Sequence, residues 1–207
     1  MQRVLVFCGS SPGARAEYAQ RAEELGGLIG RRGLVLVYGG AEVGLMGALA
    51  DGALGAGGEV IGVIPRRLVE REIAHAGLTE LREVSSMHER KAVMAQLADV
   101  VIALPGGSGT LDELFELFTW NQLGLHRAPI GLLDVAGYWQ PLLGLLDHMV
   151  AERFLRAEYR DMLLVDALPA ALLDALARSQ HEPRDKWLDD QSVPNTRSPA
   201  SPKPGRM

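Results

Sequence analysis

The chain of 207 residues has one cysteine, Cys8, so no internal disulfide can brace it. It carries no basic-then-apolar leader and no long uninterrupted apolar run, which argues against export or membrane insertion and makes a cytoplasmic protein the expectation. Basic side chains are also too few. Twenty-one stand against 26 acidic ones, a net charge of −5, the wrong sign for an electrostatic grip on duplex DNA or anionic lipid. Nucleic-acid and membrane partners are therefore not expected, and a small molecule is. The five histidines, at positions 75, 88, 126, 148 and 181, lack metal-ligand spacing, and a lone cysteine cannot build a zinc site, so no metal is expected.

Two nucleotide fingerprints are missing as well. After the first apolar run Gly9 stands alone until Gly13, and the second run ends in Tyr38-Gly39-Gly40 where a ribose-binding acid would sit. No Gly-Lys-Ser/Thr follows any glycine loop. NAD and ATP chemistry both lose ground, and no cofactor is implied.

What is present suits a packed domain: 47% hydrophobic and 23% charged residues, with length for one domain or one domain and a tail. Glycine is in excess, at 24 residues, so backbone must approach something closely. Short apolar runs at Val4 to Phe7, Leu34 to Val37, Glu59 to Ile64, Val100 to Leu104, Ile130 to Leu133 and Leu163 to Val165 read as strands. Helical spacing separates them: Tyr18, Ala22, Leu25 and Leu28, then Leu45 to Leu54, Trp139 to Val150, and a last helix from Pro169 to about Arg178. Strands apolar on both faces, joined by crossover helices, imply an α/β fold, a doubly wound parallel sheet with helices on both faces. Ligands of such sheets bind at strand carboxyl ends, where Gly9, Gly39, Gly40, Gly106 and Gly107 all fall. Residues 1–179 are expected to form the domain. After Ser179 come five of the 11 prolines and few apolar residues, so 180–207 reads as a disordered tail.

The strongest local signal is Pro105-Gly106-Gly107-Ser108-Gly109-Thr110-Leu111-Asp112-Glu113, a strand end passing through three glycines into a helix. Bare amides and the positive end of a helix dipole favour an anion, and glycine leaves room for phosphate to reach them. Thr110 and Glu113 also spell Thr-x-x-Glu, a capping box whose side chains satisfy backbone donors, and spacing alone leaves both readings open. Glu116 shares a helix face with Glu113, where it either supports the site or faces solvent.

A second cluster is Ser85-Ser86-Met87-His88-Glu89-Arg90-Lys91, in which Ser86 and Glu89 form another capping pattern, so Glu89 is read as structural. Met87, Arg90, Met94 and Leu97 lie on one stripe, which sets a guanidinium among apolar neighbours. Such a charge needs an anion, either a carboxylate of the fold or a ligand's phosphate or carboxylate. Cys8 reads as a buried small residue rather than a nucleophile. Ser10 and Ser11 either donate to a phosphate or cap the next helix.

At these residues the chain resembles the LOG ("Lonely Guy") family, the cytokinin riboside 5′-monophosphate phosphoribohydrolases, once labelled lysine decarboxylases. The resemblance spans about residues 3 to 178 and rests on Pro105 to Glu113, Met87 to Lys91, Phe7 to Ser11, and Tyr38-Gly39-Gly40 with Gly44-Leu45-Met46-Gly47. It implies a Rossmann-like domain, usually a homodimer, with Arg90 and Glu113 catalytic and Gly106, Gly107, Gly109 and Thr110 around the phosphate. Gly9, Ser10, Gly39, Gly40, Met87, Lys91 and Glu116 are expected to bind or support the substrate. Two positions depart from many relatives: Ala41 stands in place of a third glycine and Ser108 in place of an aromatic or other side chain, with a change in base fit or N6-substituent preference as the expected consequence. The implied reaction is hydrolysis of the N-glycosidic bond of adenosine-type 5′-monophosphates, N6-modified ones included, to free base and ribose 5-phosphate. The rival is a non-catalytic nucleotide or molybdenum-cofactor carrier. The decarboxylase label fits poorly, because a pyridoxal phosphate enzyme needs a Schiff-base lysine and only Lys91 lies outside the tail.

Overall fold

The computed structural model describes residues 1–69 and 74–179. Along the chain come β1 (Arg3–Phe7), α1 (Ala16–Arg31), β2 (Val35–Tyr38), α2 (Gly44–Gly55), β3 (Glu59–Pro65), α3 (Arg66–Val69), β4 (Glu80–Val84) and α4 (Met87–Leu97). β5 (Val100–Ala103), α5 (Ser108–Gln122), β6 (Ile130–Leu133), α6 (Gln140–Ala151), α7 (Ala157–Arg160), β7 (Leu163–Asp166) and α8 (Pro169–Arg178) follow. Seven strands form one parallel sheet in the order β4-β3-β2-β1-β5-β6-β7, the doubly wound arrangement expected from the runs. The tail's expected disorder concerns residues outside the described ones.

The central strands are dry on both faces, which is why they read as unbroken apolar runs. Side chains alternate along β1: Val4 and Val6 join Leu25, Ile29, Leu45, Leu49 and Leu172 on one side. Leu5 and Phe7 join Met94, Leu114, Phe118, Trp139 and Leu146 on the other. α1, α2 and α8 thus cover one face, and α4, α5 and α6 the opposite one. α1 ends at Gly33, whose φ of +66° closes the helix in a conformation costly for any residue with a Cβ.

β4 is a strand that apolar runs do not reveal. Its sequence is Glu-Leu-Arg-Glu-Val, it pairs with β3 alone, and only Val84 is fully buried. As an edge strand it has a wet face and charged side chains, a composition that also discourages pairing with other chains. α3 and α7, at four residues each, are too short to show a periodicity.

The strand order turns between β1 and β5, so the crevice at their carboxyl ends is the expected ligand position. Backbone bonds knit the two loops there: Leu104 N donates to Phe7 O at 2.9 Å and Gly9 N to Pro105 O at 3.0 Å. On the far side of the β1–β2 pair, α1 and α2 approach too closely for side chains at Gly26, where a Cβ would lie 2.0 Å from Leu49 O. Gly26→Ala should therefore destabilise the fold by about 1–3 kcal/mol through overpacking, read as a lower urea midpoint with unchanged slope.

Candidate active site

α5 starts without a side-chain cap. Its N-cap is Gly107, which has no side chain to accept from the first amides, and no acid occupies the first turn. Thr110 is the third helical residue and Glu113 lies a turn further on, so the Thr-x-x-Glu spacing does not make a capping box here. The uncapped amides keep the anion affinity of a helix N-terminus. Gly106 must lack a side chain, since a Cβ would sit 2.0 Å from Thr110 Oγ1. Gly107 and Gly109 differ: nothing lies within 4 Å of where their Cβ atoms would be. Packing does not require them, and the space they leave opens on the crevice.

α4 does have the cap that its sequence announces. Glu89 N donates to Ser86 Oγ at 3.1 Å, while the Glu89 carboxylate accepts from Ser85 N at 2.7 Å and from the Ser85 hydroxyl. Those bonds from Ser85, the hydroxyl's first, hold the Glu89 carboxyl below the usual range. Glu89 is a structural residue. The next residue, Arg90, is 6% exposed. Its Nε donates to Val63 O at 3.0 Å and its Nη2 to Gly39 O at 2.9 Å, with Nη1 3.9 Å from Met87 Sδ. Residue 39 has to be glycine, because a Cβ there would lie 2.2 Å from Nη2. Two backbone carbonyls fix the orientation of the guanidinium at the wall of the crevice.

These elements enclose a cleft of about 320 Å³. Arg90 from α4 and Glu113 from α5 both line it, with Gly9, Ser10, Gly39, Met87, Gly107, Gly109 and Thr110, so nine of the thirteen expected site residues converge. Met46, Cys8, Ser108 and Asp112 line it too, although Met46 was read only as part of a glycine motif. Burial, and secondly the Glu113 carboxylate, push the Cys8 thiol well above its ordinary pKa, and Arg90 does not offset them. Cys8 is thus a neutral wall, not a thiolate nucleophile. Ser10 and Ser11 do not cap α1, whose N-cap is Arg15.

Four expected residues do not line the cleft. Gly40, at φ +81°, shapes the turn after β2 and accepts from His75 N at 3.0 Å. Gly106 O accepts from the Tyr138 hydroxyl, a contact from 32 residues away that no motif announced. Lys91 and Glu116 pair instead: Lys91 Nζ sits 3.1 Å from both Asp112 Oδ2 and Glu116 Oε2, tying α4 to α5. Burial lowers the Lys91 pKa, but the bonds to Asp112 and Glu116 outweigh it and raise the net value. Helical spacing set both residues near the site; mutual attraction turns their charges onto each other. Ala41 is fully buried and its carbonyl accepts from Tyr38 Oη at 3.2 Å, so this departure alters the core, whereas Ser108 borders the cleft. Among the described residues no cluster of three or more His, Cys, Asp or Glu is arranged to hold a metal ion, and no helix is long and apolar enough to cross a membrane.

Comparison with known proteins gives a consistent picture. The model of a family described as "Possible lysine decarboxylase" matches residues 46–176. A cytokinin riboside 5′-monophosphate phosphoribohydrolase of Rhodococcoides fascians is 52% identical over 163 residues, covering 78% of this chain and 82% of that protein. The enzyme of that name, LOG, from Oryza sativa subsp. japonica is 48% identical over 163 residues, covering 79% and 67% respectively. Among solved structures, the molybdenum cofactor carrier protein of Chlamydomonas reinhardtii superposes with a TM-score of 0.67 at 22% identity, over 86% of this chain and 99% of that one. At that identity the likeness concerns the fold alone.

The Lys91 bridge yields a test of its own. Lys91→Met should lower stability by about 1 kcal/mol, a modest figure because Asp112 is 64% exposed and screened by solvent. Since the folded pKa of Lys91 is raised, this contribution is complete below its unfolded value, near 10.4, and is lost as pH rises through the folded value. Urea unfolding of both proteins should give a constant difference from about pH 7 to 9 that shrinks above about 10.4.

Proposed function

The chain belongs to the family of cytokinin riboside 5′-monophosphate phosphoribohydrolases, and from that premise we propose that it hydrolyses the N-glycosidic bond of adenosine-type 5′-monophosphates. Water adds to C1′, the bond from C1′ to the base nitrogen breaks, and free base and ribose 5-phosphate leave. The observation that carries this reading is the meeting of Arg90, Glu113 and the uncapped start of α5 in one cleft.

The 5′-phosphate lies against the amides of the Gly107 to Thr110 turn, where binding far from the reacting carbon is used to orient the sugar. Glu113, one turn on, faces the anomeric carbon. As that carbon gains oxocarbenium character, a fixed carboxylate stabilises the positive charge and orients the attacking water. Arg90 is held on Gly39 O and Val63 O, and directs its remaining donors at the substrate. Met46 and Met87 supply the apolar wall for a base. Lys91 and Glu116 act from behind, by holding α4 and α5 together.

Decarboxylation through pyridoxal phosphate finds no support in these residues. Among the described residues Lys91 is the one lysine, and its ammonium is kept protonated by two carboxylates rather than freed to form an imine. A carrier would need the anion cradle without the carboxylate, so Glu113 beside Arg90 favours hydrolysis. The reading carries with it a cytoplasmic location, in keeping with a single unpaired thiol. It also includes a homodimer. Leu111, Phe115 and Trp120 form a half-buried apolar strip on α5 next to the cleft residues Ser108 and Asp112, suited to a second copy of the chain.

Chromatography of reactions with AMP, isopentenyladenosine monophosphate, GMP and CMP should show free base from the adenine nucleotides. AMP bound but not consumed would favour the carrier. Glu113→Gln should retain nucleotide binding and melting temperature while turnover falls by about 10² to 10⁴. Near-normal turnover would remove Glu113 from the mechanism. Light scattering should give twice the chain mass, and Phe115→Glu should return it to the mass of one chain.

A further inference from the structure

Tyr138 stands 25 residues beyond Glu113 in sequence, yet its hydroxyl donates to Gly106 O inside the glycine turn. The chain makes an unusual effort to bring it there. Between β6 and α6, Ala136 has φ 53° and ψ 31° and Gly137 has φ 74°, two successive left-handed residues of which the first bears a Cβ. Backbone strain of this kind persists only where the surroundings over-determine it. Here the buried Asp134 does so: its Oδ1 accepts from Trp139 N at 2.8 Å, its Oδ2 from Gln140 Nε2, and its own N donates to Asp166 O at 2.9 Å. Trp139, 1% exposed, donates from Nε1 to Ala103 O at 3.3 Å, pinning the turn to the end of β5. The Tyr138 ring is then braced edge-on by Tyr18 and Trp139, with centroids at 5.9 and 5.1 Å.

We propose that Tyr138 is a positioning residue for the phosphate, which holds the Gly106–Gly107 peptide so that the Gly107 N–H is directed into the cleft. The peptide group is planar and trans, so its C=O and N–H point in opposite directions. Tying the Gly106 carbonyl to Tyr138 on one side therefore aims the following N–H to the other. That N–H belongs to Gly107, which lines the cleft and has open space where a side chain would be. Two adjacent glycines have no side chains to fix their peptide, so an external tether is needed to preorganise the donor. The preceding carbonyl, Pro105 O, is already tied by Gly9 N at 3.0 Å. Successive carbonyls of the turn are thus anchored from the β1 loop and from the β6 loop, leaving the amides free for a ligand.

This inference rests on the proposed placement of the 5′-phosphate at the start of α5, and Tyr138→Phe tests it while keeping the braced ring. One hydrogen bond's worth of preorganisation predicts a rise of about three- to tenfold in KM for AMP, with kcat changed less. The inhibition constant of the product ribose 5-phosphate should rise by the same factor, that of adenine should stay the same, and the melting temperature should hold. A merely structural role would weaken both products alike, so an equal rise for adenine, or no rise for ribose 5-phosphate, overturns the proposal. Calorimetry with inorganic phosphate separates it from the proposed reaction. If the wild-type protein cleaves no nucleotide, the reaction is wrong, but weaker phosphate binding in Tyr138→Phe still upholds the tether. Equal phosphate binding by the two proteins, or none by either, overturns it.

Discussion

The first amides of α5 are left without a side-chain cap, and much of the surrounding structure serves to keep them so. A helix N-terminus carries unsatisfied donors and a partial positive charge, and proteins ordinarily quench both with a serine, threonine or aspartate. Here Gly107 takes the cap position and Thr110, the hydroxyl that could reach back, is 4% exposed and packed against Gly106. The N-cap residue thereby offers these donors no side-chain acceptor. The parallel sheet supplies the setting: β1 and β5 are neighbours, both crossovers leave from their carboxyl ends, and the turn of strand order opens a crevice between them.

A buried guidance system for Arg90 complements those amides. Its guanidinium lies deep enough that its charge is costly, and its hydrogen bonds go to carbonyls of the turns after β2 and within β3. Gly39 is the concession made by the sheet, since any side chain there would occupy the place of Nη2. The capped start of α4 fixes the helix that delivers Arg90, and the Lys91 bridge to Asp112 and Glu116 fixes the distance from that helix to α5. Cation and carboxylate are thus held in register by contacts around the cleft, with Gly39 and Asp112 in its wall and Glu116 outside it.

This division explains what could be read from the residues and what could not. Six of the seven strands were legible, five because their buried residues make nearly unbroken apolar runs and the half-exposed edge strand β7 because Leu163 to Val165 is apolar all the same. β4 was not, because an edge strand with a wet face looks like a polar linker. Gly9, Gly39, Gly107 and Gly109 were legible as rim glycines because each directly follows a strand or enters the helix after it. Lys91 and Glu116 were read as part of the site but pair with each other outside the cleft lining, since spacing reports a shared face but not which charge finds which. The open choice at Thr110 and Glu113 turned on where α5 begins, a matter of one turn that capping geometry decides and composition does not. Tyr138 lay beyond reach altogether: its position depends on a left-handed alanine, and nothing in Asp134 to Gln140 announces that conformation.

On the proposed reading α5 carries both the phosphate donors and the carboxylate, and so it also sets the size of what can lie between them. From Thr110, the last residue of the first turn, to Glu113 is three residues, a rise of about 4.5 Å along the axis. An anion seated on the amides and a carboxylate one turn away therefore span roughly a single pentose ring. A longer separation, such as a pyrophosphate linkage, would carry the reacting carbon past Glu113; a bare phosphate would leave the carboxylate with nothing to act on. On the proposed reading, a 5′-monophosphate with its base leaving from C1′ matches that spacing better than a dinucleotide does. Selectivity for a monophosphate would then follow from the rigidity of one α-helix, with the glycine turn at its start keeping the donors aimed inward.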